Sequence, residues 1–242
     1  KTREVTLASP APYFIAQTTH NTAYPVPKHV VEALGDEWSR PENIVVNGAF
    51  KVSEWTIGEK LTVTKNPGFY DAANVSLDAV SFYPIEEASQ ELNLFREGQL
   101  DVTSTIPPGD AMYALADEFG DELYVTPYGG TYYYAFNATM APYDDPMVRS
   151  ALSMAIDRDR ITTDVSPGNV AAYSFVPPSI SGGYEVQPPS WAAMSQEERT
   201  AMAKGVMEAA GYTADNPMKV VINYNTSEGH KQIALAISDM WA

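Results

Sequence analysis

Asn47-Gly48-Ala49-Phe50-Lys51-Val52-Ser53-Glu54-Trp55-Thr56-Ile57-Gly58-Glu59-Lys60-Leu61-Thr62-Val63-Thr64-Lys65 sets two alternating runs on either side of a glycine turn. Phe50 and Val52 share a face in residues 48–54, and Leu61 and Val63 do so in residues 60–65. Ile57-Gly58-Glu59 between them reads as the turn of a hairpin. Val80 and Phe82 mark a further strand. Helical spacing then takes over: Glu86 to Glu97 with Gly98 after it, a helix following Pro107-Pro108 as far as Ala116, and Pro146 to Ile156 with Val148 and Leu152 on one face. Ahead of the hairpin, Pro25-Val26-Pro27 opens a helix that Gly35 ends. Ser195-Gln196-Glu197-Glu198 is a capping box opening a helix that Gly211 closes. A last amphipathic stripe (Ile233, Ala236, Ile237, Met240, Trp241) runs from Glu228 to Ala242. Shorter alternating runs predict strands at 3–7, 100–103, 123–126, 131–137 and 218–224, while the Pro-, Gly- and Ser-rich residues 166–190 hold no clear element. Strands and helices mingle throughout, so the fold class is α/β (mixed α+β).

Composition narrows the function. The 242 residues are 45% hydrophobic and 19% charged, as in an ordinary globular protein. Fifteen Lys and Arg against 31 Asp and Glu leave a net charge of −16, and no basic cluster exists that could offset it locally. A nucleic-acid partner is therefore disfavoured. There is no cysteine, so disulfides and thiol chemistry are excluded. The apolar stripe at the end of the chain reaches Ala242 with no Gly, Asn or Pro to stop it, and reads as a helix cut within a longer chain.

The usual catalytic signatures are missing. His20, His29 and His230 are far apart and belong to no zinc-binding spacing, so no metal and no cofactor is expected. Asp144-Asp145 and Asp157-Arg158-Asp159-Arg160 could supply an acid/base pair, but Asp145-Pro146 reads better as a helix start with acids at its positive end. The distinctive feature is Tyr128-Gly129-Gly130-Thr131-Tyr132-Tyr133-Tyr134. In a strand Tyr132 and Tyr134 face one way and Tyr133 the other. Three consecutive phenols are hard to bury, because each hydroxyl needs a partner. One face is expected to meet water, a ligand or a second lobe, with Gly129-Gly130 allowing a bend.

These residues carry a resemblance. Asn47-Gly48-Ala49-Phe50-Lys51-Val52 with Trp55, Pro84-Ile85, Phe95-Arg96-Glu97-Gly98-Gln99-Leu100-Asp101-Val102, the Thr131–Asn137 run, Pro142-Tyr143 with Val148-Arg149, Ala151-Leu152 and Ala155-Ile156-Asp157-Arg158, Pro177-Pro178, Ala210-Gly211-Tyr212 and Tyr224-Asn225-Thr226 follow one another in a familiar order. The chain resembles the family 5 solute receptors of ABC importers, closest to their oligopeptide branch. The resemblance implies a periplasmic, bacterial, type II-like two-lobe binding protein, incomplete here at both ends. Residues 1–127 would form the main part of lobe I and 128–242 the first part of the second ligand-binding lobe. It implies no enzyme activity, a peptide ligand and permease subunits as partners. The membrane would be met only through the permease or an anchor outside this chain.

Carried over position by position, Tyr128 and Tyr133 match aromatics that line side-chain pockets. Ser104 and Thr105 match polar residues facing the cleft, and His230 matches a histidine that meets the ligand carboxylate in some oligopeptide receptors. Gly130 replaces a cysteine, and Ala135 an acid, found in close relatives, so that disulfide and that source of selectivity for basic side chains are not expected. A same-family receptor for an oligosaccharide, nickel complex or opine is the first alternative, and a hydrolase using Asp144 or Asp157 the second.

Overall fold

The computed structural model describes residues 4–103, 105–108, 111–126, 128–177, 180 and 185–242. The chain forms two compact units, Lys1–Pro84 and Ile85–Ala242.

The first unit is built on the hairpin. Strands β1 (Phe50–Thr56) and β2 (Lys60–Lys65) pair antiparallel, and β3 (Ala79–Phe82) adds to β2 to give the order β1-β2-β3. The three-residue connection holds Gly58 at φ +81°, the left-handed backbone that such a turn needs. Register slips between Val52 and Glu54, leaving Ser53 as an extra residue whose hydroxyl donates to the Thr62 carbonyl at 3.1 Å. Asn66 is buried and fully engaged. Its Nδ2 donates to Gly48 O at 2.8 Å, its Oδ1 accepts from Gly68 N at 3.1 Å, and its own N–H reaches Ala49 O at 2.8 Å. Helix α1 (Lys28–Leu34) starts one residue after Pro27, and Gly35 ends it at φ +53°. Residues 4–7, expected as a strand, are in no ladder.

The second unit is mainly helical. Helices α2 (Ala88–Arg96) and α3 (Ala111–Phe119) bury Leu92 and Leu115. The rings of Phe95 and Phe119 meet edge-on at 5.5 Å, and Arg96 Nε donates to Glu118 Oε1 at 2.8 Å. That pairing holds the exposed Glu118 carboxyl below its ordinary range. Helix α2 ends as its sequence predicts: Gly98 N–H returns to Phe95 O and Gln99 N–H to Leu94 O, at 2.9 and 2.8 Å.

The core lies between α4 (Pro146–Ala155) and α5 (Gln196–Ala209), where Ala151, Met154 and Ala203 are buried and Trp191, Val206 and Met207 pack on them. Asp145 caps α4, its Oδ1 accepting from Met147 N at 2.7 Å, and the Ser195–Glu198 capping box opens α5. Helix α6 (Glu228–Trp241) buries Ile233, Ala234 and Ile237, and Trp241 Nε1 donates to Leu152 O at 2.9 Å, tying it to α4. The predicted strands at 100–103, 123–126, 131–137 and 218–224 pair with nothing among the described residues. One of them, residues 218–222, nevertheless alternates in burial. Met218, Val220 and Ile222 are half-buried and the residues between them exposed.

Candidate ligand-binding site

Ser227 caps α6 through its hydroxyl, and the loop before that cap presents Asn225. Asn225 Oδ1 accepts two hydrogen bonds, from Ser227 N at 3.2 Å and from His230 Nδ1 at 2.7 Å. The backbone N–H can only donate, so the oxygen is fixed there, and an amide oxygen facing Nδ1 requires that Nδ1 carry a proton. Nε2 is the remaining ring nitrogen. It accepts when the imidazole is neutral and donates when it is charged. Half-buried His230 also faces Tyr132, with ring centroids 4.7 Å apart and planes 33° from parallel.

Tyr132 continues the cluster. Its ring meets Tyr134 edge-on at 5.6 Å, and its hydroxyl donates to Tyr134 Oη at 3.3 Å. Burial pushes the Tyr134 phenol well above its ordinary pKa, so it stays neutral at any working pH. On the other side of the run, Tyr133 meets the Phe175 ring at 5.0 Å, and Thr131 Oγ1 donates to Phe175 O at 2.9 Å. The alternation expected of 131–134 therefore survives as two aromatic faces, even without a ladder.

A cavity of about 380 Å³ lies nearby in the second unit. Its lining comes from five short segments: Ile106-Pro107-Pro108, Met112, Tyr124-Val125-Thr126, Ser166-Pro167-Gly168-Asn169 and Gly229. Gly168 has φ +88°, and a Cβ on it would lie 3.3 Å from Met112 Cε, so a side chain would be strained there and crowd the cavity wall. Three of the sequence candidates border this lining. Thr105 precedes Ile106, Tyr128 follows Thr126 by two positions, and His230 follows Gly229.

Thr105 is exposed, with its carbonyl accepting from Thr103 Oγ1 at 3.2 Å. Ser104 lies outside the described residues. Tyr128 is 87% exposed, and its ring covers Gly130 where a side chain would sit. Tyr133 stands apart from the cavity, against Phe175. Tyr132 and Asn225 escaped the sequence reading as site residues, although Asn225 two positions before a helix-capping Ser227 was a usable signal. Ser166 to Asn169 went unnoticed because turn-forming residues usually mean only a turn. Asp145 and Asp157 both serve as helix caps, the latter accepting from Arg160 N at 3.0 Å. Among the described residues no group of three or more His, Asp or Glu could hold a metal ion.

Comparison with known proteins identifies the family. Residues 1–242 match the family described as bacterial extracellular solute-binding proteins, family 5 Middle. The chain belongs to family 5. It is 40% identical over 241 residues to the periplasmic oligopeptide-binding protein OppA of Salmonella typhimurium, covering 99% of this chain and 44% of that protein. The structure of the Escherichia coli murein tripeptide binding protein MppA superposes with a TM-score of 0.91 at 38% identity, over 97% of this chain and 46% of that one. Haemophilus influenzae OppA, in complex with RPPGFSPFR, gives 0.90 at 37% identity with the same coverage. The mixed α/β class expected from the sequence is the one these family 5 neighbours share. The chain spans less than half the length of the curated relatives it matches.

Proposed function

We propose that the protein carrying this chain is the periplasmic receptor of an ABC importer, that its ligand is a peptide, and that it delivers the peptide to permease subunits without catalysing a reaction. The observation that carries the reading is the Tyr132–His230–Asn225 cluster beside a cavity lined mostly by loop residues. Exposed main chain can pair with a peptide's own amides whatever its side chains, and an imidazole at a helix start can meet a carboxylate. The sequences and structures of relatives named for peptide binding support the same ligand class.

In this reading His230 directs Nε2 at the ligand while Asn225 holds the ring. Tyr133 and Tyr128 line side-chain pockets, with Ser104 and Thr105 on the facing edge of the cleft. The lobes implied by the resemblance, 1–127 and 128–242, would close on the peptide and trap it. Calorimetry of the protein with the nonapeptide RPPGFSPFR tests this. Tyr133→Ala and His230→Ala are each expected to raise Kd at least tenfold. Unchanged affinity in both would remove these residues from the site, and binding of oligosaccharide but not peptide would replace the ligand class.

A further inference from the structure

Arg199 is buried and Arg158 half-buried in a chain with a large excess of acids, yet neither is in an ion pair among the described residues. Their donors go to carbonyls instead. Arg158 Nη1 donates to Ser153 O at 2.9 Å and Ile156 O at 3.2 Å, Nη2 to Ser153 Oγ at 2.9 Å, and Nε to Ala172 O at 3.0 Å. Arg199 is 3% exposed. Its Nη1 donates to Met194 O at 2.9 Å and Ala192 O at 3.4 Å, while Nε and Nη2 share Gln196 Oε1 at 3.2 and 2.8 Å. Both guanidinium groups lie over one ring: Cζ of Arg158 is 5.1 Å and Cζ of Arg199 5.3 Å from the centroid of Tyr173. Two like charges this close repel. The π-face of Tyr173 and the carbonyl dipoles offset that repulsion, which an arginine's planar fork suits and a lysine's point charge does not.

Tyr173 is two residues from Phe175, and the segment is anchored at both points. Ala172 and Tyr173 are held by the arginines; Phe175 packs on Tyr133 and its carbonyl accepts from Thr131. Further on, Ile180 lies against Gly129, where a Cβ would come within 3.1 Å of Ile180 Cγ1. The strap 172–177 therefore links the α4–α5 core to Tyr133. We propose that Arg158 and Arg199 are positioning residues for ligand recognition: through Tyr173 they set where Phe175, and hence Tyr133, stands. This rests on the peptide-binding reading for its consequence, but not for its mechanics.

The test has two arms. In the ligand-free protein, the ring NMR resonances of Tyr133 and Phe175 are expected to shift in Arg158→Lys, while α4 and α5 keep their amide-exchange protection. Tyr173→Leu, which removes the shared ring without altering either helix, should give the same pattern. Tyr133 and Phe175 resonances unchanged in both variants would overturn the proposal, whether or not the protein binds peptide. In the second arm, RPPGFSPFR binding is measured in a double-mutant cycle. Arg158→Lys is expected to raise Kd about fivefold alone and to add nothing in the Tyr133→Ala background. Additive losses would show that Arg158 does not act through Tyr133. A wild-type protein that binds no peptide would sink the ligand class and leave the resonance arm to decide the strap.

Discussion

Asn225 sets the orientation of the His230 ring. One amide oxygen takes a backbone N–H and the Nδ1 proton together, which fixes both the ring's tautomer and its orientation. Asn225→Ala is expected to weaken peptide binding by about 1 kcal/mol, near a fivefold rise in Kd, through loss of that single hydrogen bond. Calorimetry showing no change would mean that the ring is held by Tyr132 alone. Gly130 makes a different prediction. The Tyr128 ring covers the position of a side chain at 130, and Tyr128 is free to move because it is exposed. Gly130→Ala should therefore alter stability by less than about 0.5 kcal/mol while displacing Tyr128 and lowering peptide affinity. A large loss of stability with intact affinity would contradict this.

Elements whose signals are local were legible in the sequence. The hairpin at 50–65 follows from alternation plus one glycine, and Gly98 and Gly211 stop their helices because residues in that position close the last turn. Gly211 N–H returns to Glu208 O and Tyr212 N–H to Met207 O, at 3.0 and 2.9 Å. The capping box at 195–198 was equally plain. Ser195→Ala is expected to cost about 1 kcal/mol in chemical denaturation. The Ser195 backbone N–H, and next its hydroxyl, hold the Glu198 carboxyl below its ordinary range. A depressed carboxyl stabilises the fold above its unfolded pKa, and that contribution disappears as pH falls through the folded value. The Tm gap between the parent and Glu198→Gln should be full above about pH 5 and shrink as pH falls below the ordinary glutamate range. A gap independent of pH would rule this out. Strands expected at 123–126, 131–137 and 218–224 form no ladder, and alternating faces survive only at 132–134 and 218–222, because a ladder depends on a partner that sequence periodicity does not specify. The site was legible in part for the same reason. Tyr133 and His230 stood out as residue types in context, whereas the pairing of His230 with Tyr132, separated by nearly a hundred positions, needed the fold.

At the scale of the whole molecule, the first unit buries no apolar side chain among residues 4–84, and Trp55, Ile57, Phe82 and Tyr83 on and beside its sheet are exposed. Patches of that kind mark surfaces that other polypeptide covers. The isolated 242-residue chain should accordingly enhance the fluorescence of a hydrophobic dye; a dye-silent monomer would contradict that. The acid excess is spread along the sequence and matches no feature of the site, where the charged groups are few. The central claim is the ligand class, and native mass spectrometry of the intact protein carrying this chain, purified without denaturant, tests it most directly. The account predicts retained masses that fragment as short peptides and are lost in His230→Ala and Tyr133→Ala. Retained masses that fragment as glycans, or peptide adducts that persist in both variants, would contradict it.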